Sequence, residues 1–290
     1  MSRQQVPNFE LASDTARANL LTNGGFEIWQ RGTGPFTSSG LYTADRWSIS
    51  LGTGDAMNVL MDNAGVDVGS TKSHYVAYTK GTGSSQILQY LTDFAYRGKT
   101  LSLSIRVNST AVGAVQAGIY DGVNGWRLGP FNAAASSTWE TLTVTAPIAS
   151  NATSCIIGLW FQNTATVRMD NAMLVVGAVP CDYVPLHPAD DLARCLRYYE
   201  KIGGVSTATW FGCTGTVGQA FGQTFAYAAK KAVVPTLTKA GTWTMQNAAQ
   251  PIADASDVNN FRFYAVASAS GPVSYSCTDA TCFITAEANP

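Results

Sequence analysis

Between Leu101 and Val107 every second residue is aliphatic: Leu101, Leu103, Ile105 and Val107 are separated by Ser102, Ser104 and Arg106. A strand turns successive side chains to opposite faces, so this run gathers its apolar residues on one face only as a β-strand. A helix would scatter them around its axis. Val115, Ala117 and Ile119 repeat the alternation, as do Leu142 and Val144, and Trp47, Ile49 and Leu51 between serines. Cys155, Ile157, Leu159 and Phe161 form another such face, with Ile156 and Trp160 opposite. Near the N-terminus, Phe26 and Ile28 alternate with Glu27 and Trp29 and predict one more strand. Turn signals separate the runs: Asn23-Gly24-Gly25, Gly52-Thr53-Gly54, Gly81-Thr82-Gly83, Asp121-Gly122 and Asn124-Gly125. Nothing between Asn19 and Val184 sustains a helical period, so the pattern predicts an all-β, jelly-roll β-sandwich.

The pattern changes after Pro185-Leu186-His187-Pro188. Pro188 suits a first helical position, and Asp190 and Asp191 suit the positive end of a helix dipole. Leu192, Cys195, Leu196 and Tyr199 follow helical spacing, and Gly203-Gly204 predicts the stop. Strand-like segments then resume from Ala208 to Cys277. The expected organisation is an N-terminal arm at 1–18, a sandwich at 19–187 and a short linking helix at 188–203. A smaller C-terminal β domain follows at 204–290.

Charge narrows the function. Charged residues make up 13% of the chain, about half of the roughly 25% usual for globular proteins. Net charge is −1 and no Lys/Arg cluster occurs, which argues against a nucleic-acid partner, since phosphate neutralisation dominates such affinity. No apolar run reaches the about 20 residues of a membrane span, and the polar N-terminus lacks the apolar stretch of an export signal. The Asn-x-Ser/Thr sequences at Asn108 and Asn151 then read as chance matches. Six cysteines, Cys155, Cys181, Cys195, Cys213, Cys277 and Cys282, include no Cys-x-x-Cys pair, so buried thiols are expected rather than zinc ligands. Cys277 and Cys282 flank a potential hairpin turn, where a disulfide suits a protein working outside a cell.

Catalytic patterns are poor. Only two histidines occur, His74 at the expected start of a strand and His187 beside Pro188. No Gly-x-Ser-x-Gly elbow and no phosphate-cradling Gly-Lys-Ser/Thr loop is present. Glycoside hydrolysis needs only two carboxylates. The candidates Asp45, Asp55, Asp62, Asp67, Asp93, Glu140 and Asp170 fall mostly in polar turns, and no enzymatic role is expected of them. The aromatic residues are more informative, because sugars stack their C–H faces on Trp and Tyr rings. Tyr120, Trp126 and Trp160 are the candidate carbohydrate-binding residues, near loops or opposite the strongest apolar stripe, with Trp126 placed in the turn Asn124-Gly125-Trp126-Arg127. Trp29 and Trp47 are expected in the core.

Two motifs carry a resemblance. Asn19-Leu20-Leu21-Thr22-Asn23-Gly24-Gly25-Phe26-Glu27-Ile28-Trp29-Gln30-Arg31-Gly32, with the later Ala44-Asp45-Arg46-Trp47, resembles bacteriophage tail-fibre and tail-spike (receptor-binding) proteins that have a carbohydrate-binding-module-like jelly roll. Leu192 to Lys201 resembles the Cys-Gln-Arg-Tyr-Tyr-Glu-Lys helix that follows the sandwich in those proteins, with Leu196 in place of Gln. The resemblance implies a virion component, at the phage tail or another particle surface, assembled in the host cytoplasm. It further implies a homotrimer held to other virion proteins through the N-terminal arm, with host cell-surface glycan as a ligand. A purely structural fibre, collar or capsid decoration is the alternative, and a polysaccharide-degrading enzyme is a third. The resemblance also implies a structural calcium at Glu27 and Asp170. Phe26, Trp29, Asp45, Arg46 and Trp47 look structural, an Asp–Arg pair and aromatics that lock the sandwich.

Overall fold

The computed structural model describes residues 18–92, 95–135, 138–204, 208–255, 257–277 and 281–289. The N-terminal arm, apart from its last residue, lies outside them. The chain divides between Leu192 and Ala193 into two compact units.

The first unit runs through β1 (Ser48–Ser50), β2 (Ala56–Asp62), β3 (Ser73–Thr79), β4 (Ser85–Tyr90), β5 (Thr100–Ser109), β6 (Val115–Tyr120), β7 (Trp126–Phe131), β8 (Trp139–Pro147), β9 (Ile156–Phe161) and β10 (Ala165–Val176). They form two five-stranded antiparallel sheets, ordered β2-β3-β10-β5-β8 and β1-β4-β9-β6-β7. Neighbours in each sheet are mostly distant in sequence, as a jelly-roll sandwich requires. Leu101, Leu103, Ile105 and Val107 of β5 are buried with Ile87, Val115, Ala117, Ile119, Ile157, Leu159 and Phe161 of the other sheet in one apolar cluster. Each of these side chains contributes about 1.5–3 kcal/mol by leaving water, apart from the small alanine. The serines between them are also covered. Ser102 Oγ donates to the Gly177 carbonyl at 2.8 Å and Ser104 Oγ to that of Cys181 at 2.5 Å, so the stretch after β10 lies over that face.

The N-terminal motif folds differently from its alternation: Gly24 and Gly25 form a turn, and Phe26 to Trp29 is irregular rather than a strand. Asn23 and Phe26 have φ of 55° and 53°, a left-handed conformation that asparagine tolerates better than most residues. The Asn23 side chain holds the turn by accepting from Ile28 N at 3.1 Å and donating to Ile28 O at 2.9 Å. A Cβ on Gly24 would lie 2.3 Å from the Ala172 carbonyl, so only glycine lets this turn reach β10.

A helix, α1 (Pro188–Leu196), follows, with Asp190 and Asp191 in its first turn and Arg194 in its last. It ends seven residues before the expected limit at 203. Residues 199–203 are instead β11 (Tyr199–Gly203), a strand of the second unit. Helical spacing reaches Tyr199, but long-range pairing of Tyr199 to Gly203 with Phe283 to Glu287 overrides it. The remaining strands are β12 (Ala208–Gly215), β13 (Ala220–Ala226), β14 (Thr236–Lys239), β15 (Thr244–Gln246), β16 (Ile252–Asp254), β17 (Asn260–Val266), β18 (Gly271–Cys277) and β19 (Phe283–Glu287). They make three three-stranded sheets, β11-β19-β14, β12-β18-β15 and β13-β17-β16. Their core is aromatic, with Phe221, Tyr227, Trp243, Phe261, Phe263 and Tyr275 buried together. Cys277 and Cys282 are disulfide-bonded, with Cα atoms 6.2 Å apart. Of the other thiols, Cys155 and Cys195 are buried as expected, whereas Cys181 is half-exposed and Cys213, on β12, is exposed.

Candidate glycan-binding face

The sheet β1-β4-β9-β6-β7 turns Val115, Ala117 and Ile119 of β6 inward, which leaves Gln116, Gly118 and Tyr120 facing out. The same alternation on β9 faces Ile156, Gly158 and Trp160 outward. Register then aligns these residues in rows across the strands. One row is Tyr90, Ile156, Tyr120 and Trp126, and the next but one contains Gln86, Trp160, Gln116 and Phe131. The middle row holds Gly158 beside Gly118.

Glycine at 118 is what allows the rings to meet. A Cβ there would lie 3.0 Å from Trp126 Cε3 and 2.9 Å from Leu128 Cδ2, so Trp126 lies directly over the backbone of β6. The Trp126 ring centroid is 5.4 Å from that of Tyr120 and 5.4 Å from that of Trp160. The three candidate stacking residues, drawn from three adjacent strands, form one half-exposed cluster. Trp126 is not in the turn, as its sequence neighbours suggest; it is the first residue of β7, opposite Tyr120. Tyr90, 39% exposed, and Phe131, 50% exposed, extend the apolar surface in register with the cluster. Sequence reasoning misses both, because only the pairing of strands places them there.

Polar groups border the rings. Gln116 Nε2 donates to the Gly129 carbonyl at 2.8 Å, which pins the edge strand β7, and Gln162 Nε2 donates to Gln116 Oε1 at 3.4 Å. The Trp160 indole nitrogen is enclosed and finds no protein acceptor. Arg127 is the sole charged residue in the five strands of this sheet, and its Nη1 donates to Asn124 O at 2.7 Å. The opposite sheet carries Asp62, Glu140, Arg106, Arg168 and Asp170.

Among the described residues, the candidate carboxylates are held by hydrogen bonds and ion pairs. Asp55 accepts from Tyr78 Oη at 2.8 Å, Ser85 Oγ at 2.5 Å and Gly81 N at 2.6 Å. Burial opposes its ionisation, but these donors outweigh burial and hold its carboxyl below the usual range. Asp62 pairs with Arg168 at 2.7 Å and Asp67 with Arg106 at 2.6 Å, and both are likewise held low against their burial. Glu140 accepts from Ala133 N and Ala134 N. Asp93 lies outside the described residues. Asp170 is fully buried, and burial, with Asp67 beside it, pushes its carboxyl up to about 7.

Of the motif residues, Asp45 pairs with Arg31, at 3.6 Å, and with Gln30, and Arg46 reaches the Tyr90 carbonyl. Phe26 and Trp47 are fully buried with ring centroids 4.7 Å apart; Trp29 is half-buried. His74 begins the body of β3 between the rings of Phe26 and Trp29, at 5.4 and 5.3 Å. Its Nε2 is 2.7 Å from Thr43 Oγ1, and burial pushes its pKa down to about 3, so it is neutral. His187 caps α1, its Nδ1 accepting from Ala189 N at 3.3 Å.

Glu27 and Asp170, the two carboxylates that the resemblance assigns to calcium, each gather their own set of hydrogen-bond donors. Calcium takes six to eight oxygens, and among the described residues no three His, Cys, Asp or Glu side chains converge. The Glu27 carboxylate accepts from Thr71 N at 2.7 Å, Thr71 Oγ1 at 2.5 Å and Lys72 N at 3.2 Å. Asp170 accepts from Asn171 N at 2.8 Å and Asp67 N at 3.2 Å.

Several solved structures share part of this architecture. The enzymatically active domain of tailspike protein 4 of bacteriophage CBA120 is 15% identical, with a TM-score of 0.39 over 57% of this chain and 23% of that one. The CBM22-1 xylan-binding domain of Xyn10C from Paenibacillus barcinonensis is 13% identical, with a TM-score of 0.39 over 58% of this chain and 96% of that one. TmCBM61, solved with β-1,4-galactotriose, is 13% identical, with a TM-score of 0.38 over 55% of this chain and 99% of that one. The chain thus spans under a quarter of the tailspike's length. No family model matches the chain, and neither does any curated protein. With TM-scores below 0.5, these likenesses add no weight to a functional reading.

Proposed function

We propose that the protein is a non-catalytic glycan-binding component of a phage particle. One observation carries the binding role: Tyr120, Trp126 and Trp160 converge on the outward, nearly uncharged face of the β1-β4-β9-β6-β7 sheet. Rings half-open to solvent and bordered by amides suit a sugar, whose C–H face stacks while its hydroxyls meet the amides. The ligand is a glycan of the host surface, and the carboxylates keep their structural duties. Affinity electrophoresis through gels containing host surface polysaccharide tests this. Retardation of the wild-type chain, lost on Trp126→Ala, is the expected result; equal mobility with and without polysaccharide would defeat it.

The virion role rests on the resemblance of Asn19–Gly32, Ala44–Trp47 and Leu192–Lys201 to tail-fibre and tail-spike proteins. On this reading the protein is a homotrimer attached through residues 1–18. Hydrodynamic mass near that of one 30.7 kDa chain would contradict the trimer. The same motifs serve a second reading, a structural spacer in fibre, collar or head, because Phe26, Asp45, Arg46 and Trp47 all turn inward. Antibody labelling of intact particles separates the two: tail-tip exposure fits receptor binding, and burial in the tail or head fits the spacer.

A further inference from the structure

The resemblance implies a calcium at Glu27 and Asp170, between the entry of the sandwich and its last strand. Here direct protein bonds already tie the two. Asn19 Nδ2 donates to the Ala172 carbonyl at 3.0 Å and Asn19 Oδ1 accepts from Leu174 N at 3.0 Å. Leu20 N donates to Leu174 O at 2.9 Å, and Ala172 N to Gly24 O at 2.8 Å. The second anchor is Glu27. Its carboxylate gathers donors of Thr71 and Lys72, and its own carbonyl accepts from the Lys72 ammonium at 2.6 Å.

We propose that Lys72 takes the place of a divalent cation at this junction, so the sandwich closes without metal. A lysine ammonium is a compact point charge with three donors. Bound to the Glu27 carbonyl, it sets a positive charge at a residue that the resemblance assigns to calcium, and that charge repels a divalent cation. The Glu27 carboxylate sits across the same two residues, so Glu27 and Lys72 clamp the N-terminal turn to the loop between β2 and β3 by side chain and main chain together. Asp170 joins the bulge of β10 to the same loop, accepting from Asn171 N, Asp67 N and the Ser70 side chain.

Calorimetry on the full chain tests the proposal, with calcium analysis of the dialysed protein alongside. In about 5 mM calcium, a site of the strength usual for extracellular modules would raise the midpoint of the first unit by about 2–9 °C over that in EDTA. The clamp predicts a difference within about 1 °C and no retained calcium. Lys72→Met should lower the midpoint by about 4 °C in both buffers, and Lys72→Arg, which keeps the charge, should restore most of it. If Lys72→Met does not fold, Lys72→Arg folding at the wild-type midpoint in EDTA supports the same conclusion. A calcium-dependent rise in midpoint, one calcium per chain, or a Lys72→Met midpoint equal to wild type would overturn it.

Discussion

His74 and Asp170 are buried titratable groups of the first unit with opposite pH dependences. His74 has a folded pKa of about 3, below its ordinary 6.5, so its contribution to stability is present above 6.5 and lost as pH falls toward 3. Within that window the unfolded chain binds a proton the fold refuses, at about 1.4 kcal/mol per pH unit. Asp170 has a folded pKa of about 7, above its ordinary 3.8, so its contribution is present below 3.8 and lost as pH rises through 7. Between pH 4 and 6.5 the two largely offset each other. Denaturant titrations across that range should therefore show His74→Gln gaining stability on acidification and Asp170→Asn losing it faster than wild type. Two variants parallel to wild type would refute both assignments. Gly118 gives a second prediction at this scale. Gly118→Ala places a methyl 3.0 Å from Trp126 Cε3, closer than contact, and should weaken sugar binding about tenfold while the sheet, which tolerates alanine, stays folded. Near-ultraviolet circular dichroism would report the displaced indole.

At the scale of elements, the C-terminal unit depends on a buried ion pair. Glu200 of β11 meets Lys231 at 2.5 Å, with the Lys231 side chain fully enclosed, and the same ammonium donates to Leu196 O. Burial alone pushes the Lys231 pKa down, and Glu200 opposes this. Removing one partner strands the other, which costs about 3–5 kcal/mol; Lys231→Met should lose this in urea unfolding, and Glu200→Gln with Lys231→Met should recover part of it. The disulfide closes only a short loop, so reduction should cost about 2 kcal/mol in the same unit, seen as a lower melting midpoint with reductant. This pair also explains where sequence reasoning stops. The alternation in β5 is legible because its serines and aliphatics report the two faces directly. Helical spacing from Leu192 to Tyr199 is equally regular, yet the chain leaves the helix at Leu196, because β19 and Lys231, distant in sequence, claim residues 199–203. In the N-terminal motif, Asn23-Gly24-Gly25 was itself a turn signal, stronger than the apparent alternation of Phe26 to Trp29. Of the proposed glycan-binding face, Tyr120, Trp126 and Trp160 are legible as aromatics near loops or opposite the strongest apolar stripe. Tyr90, Phe131 and the Gly118 floor are not, since they join the site only through the register of β4, β9, β6 and β7.

At the scale of the whole molecule, the chain forms two compact β-rich units. The first carries an aromatic face on one sheet and the charged, ion-paired groups on the other, so a ligand that stacks meets little electrostatic competition. The second has its own aromatic core and disulfide. The central claim, that the aromatic face binds glycan, is tested most directly by a host-surface glycan array probed with four full-length chains. These are the wild type, Trp126→Ala, Trp160→Ala and, as a control on the opposite sheet, Trp139→Ala. The account predicts glycan binding by wild type and Trp139→Ala, with losses of about tenfold or more for Trp126→Ala and Trp160→Ala. No binding by the wild type, or equal binding by all four chains, would contradict it.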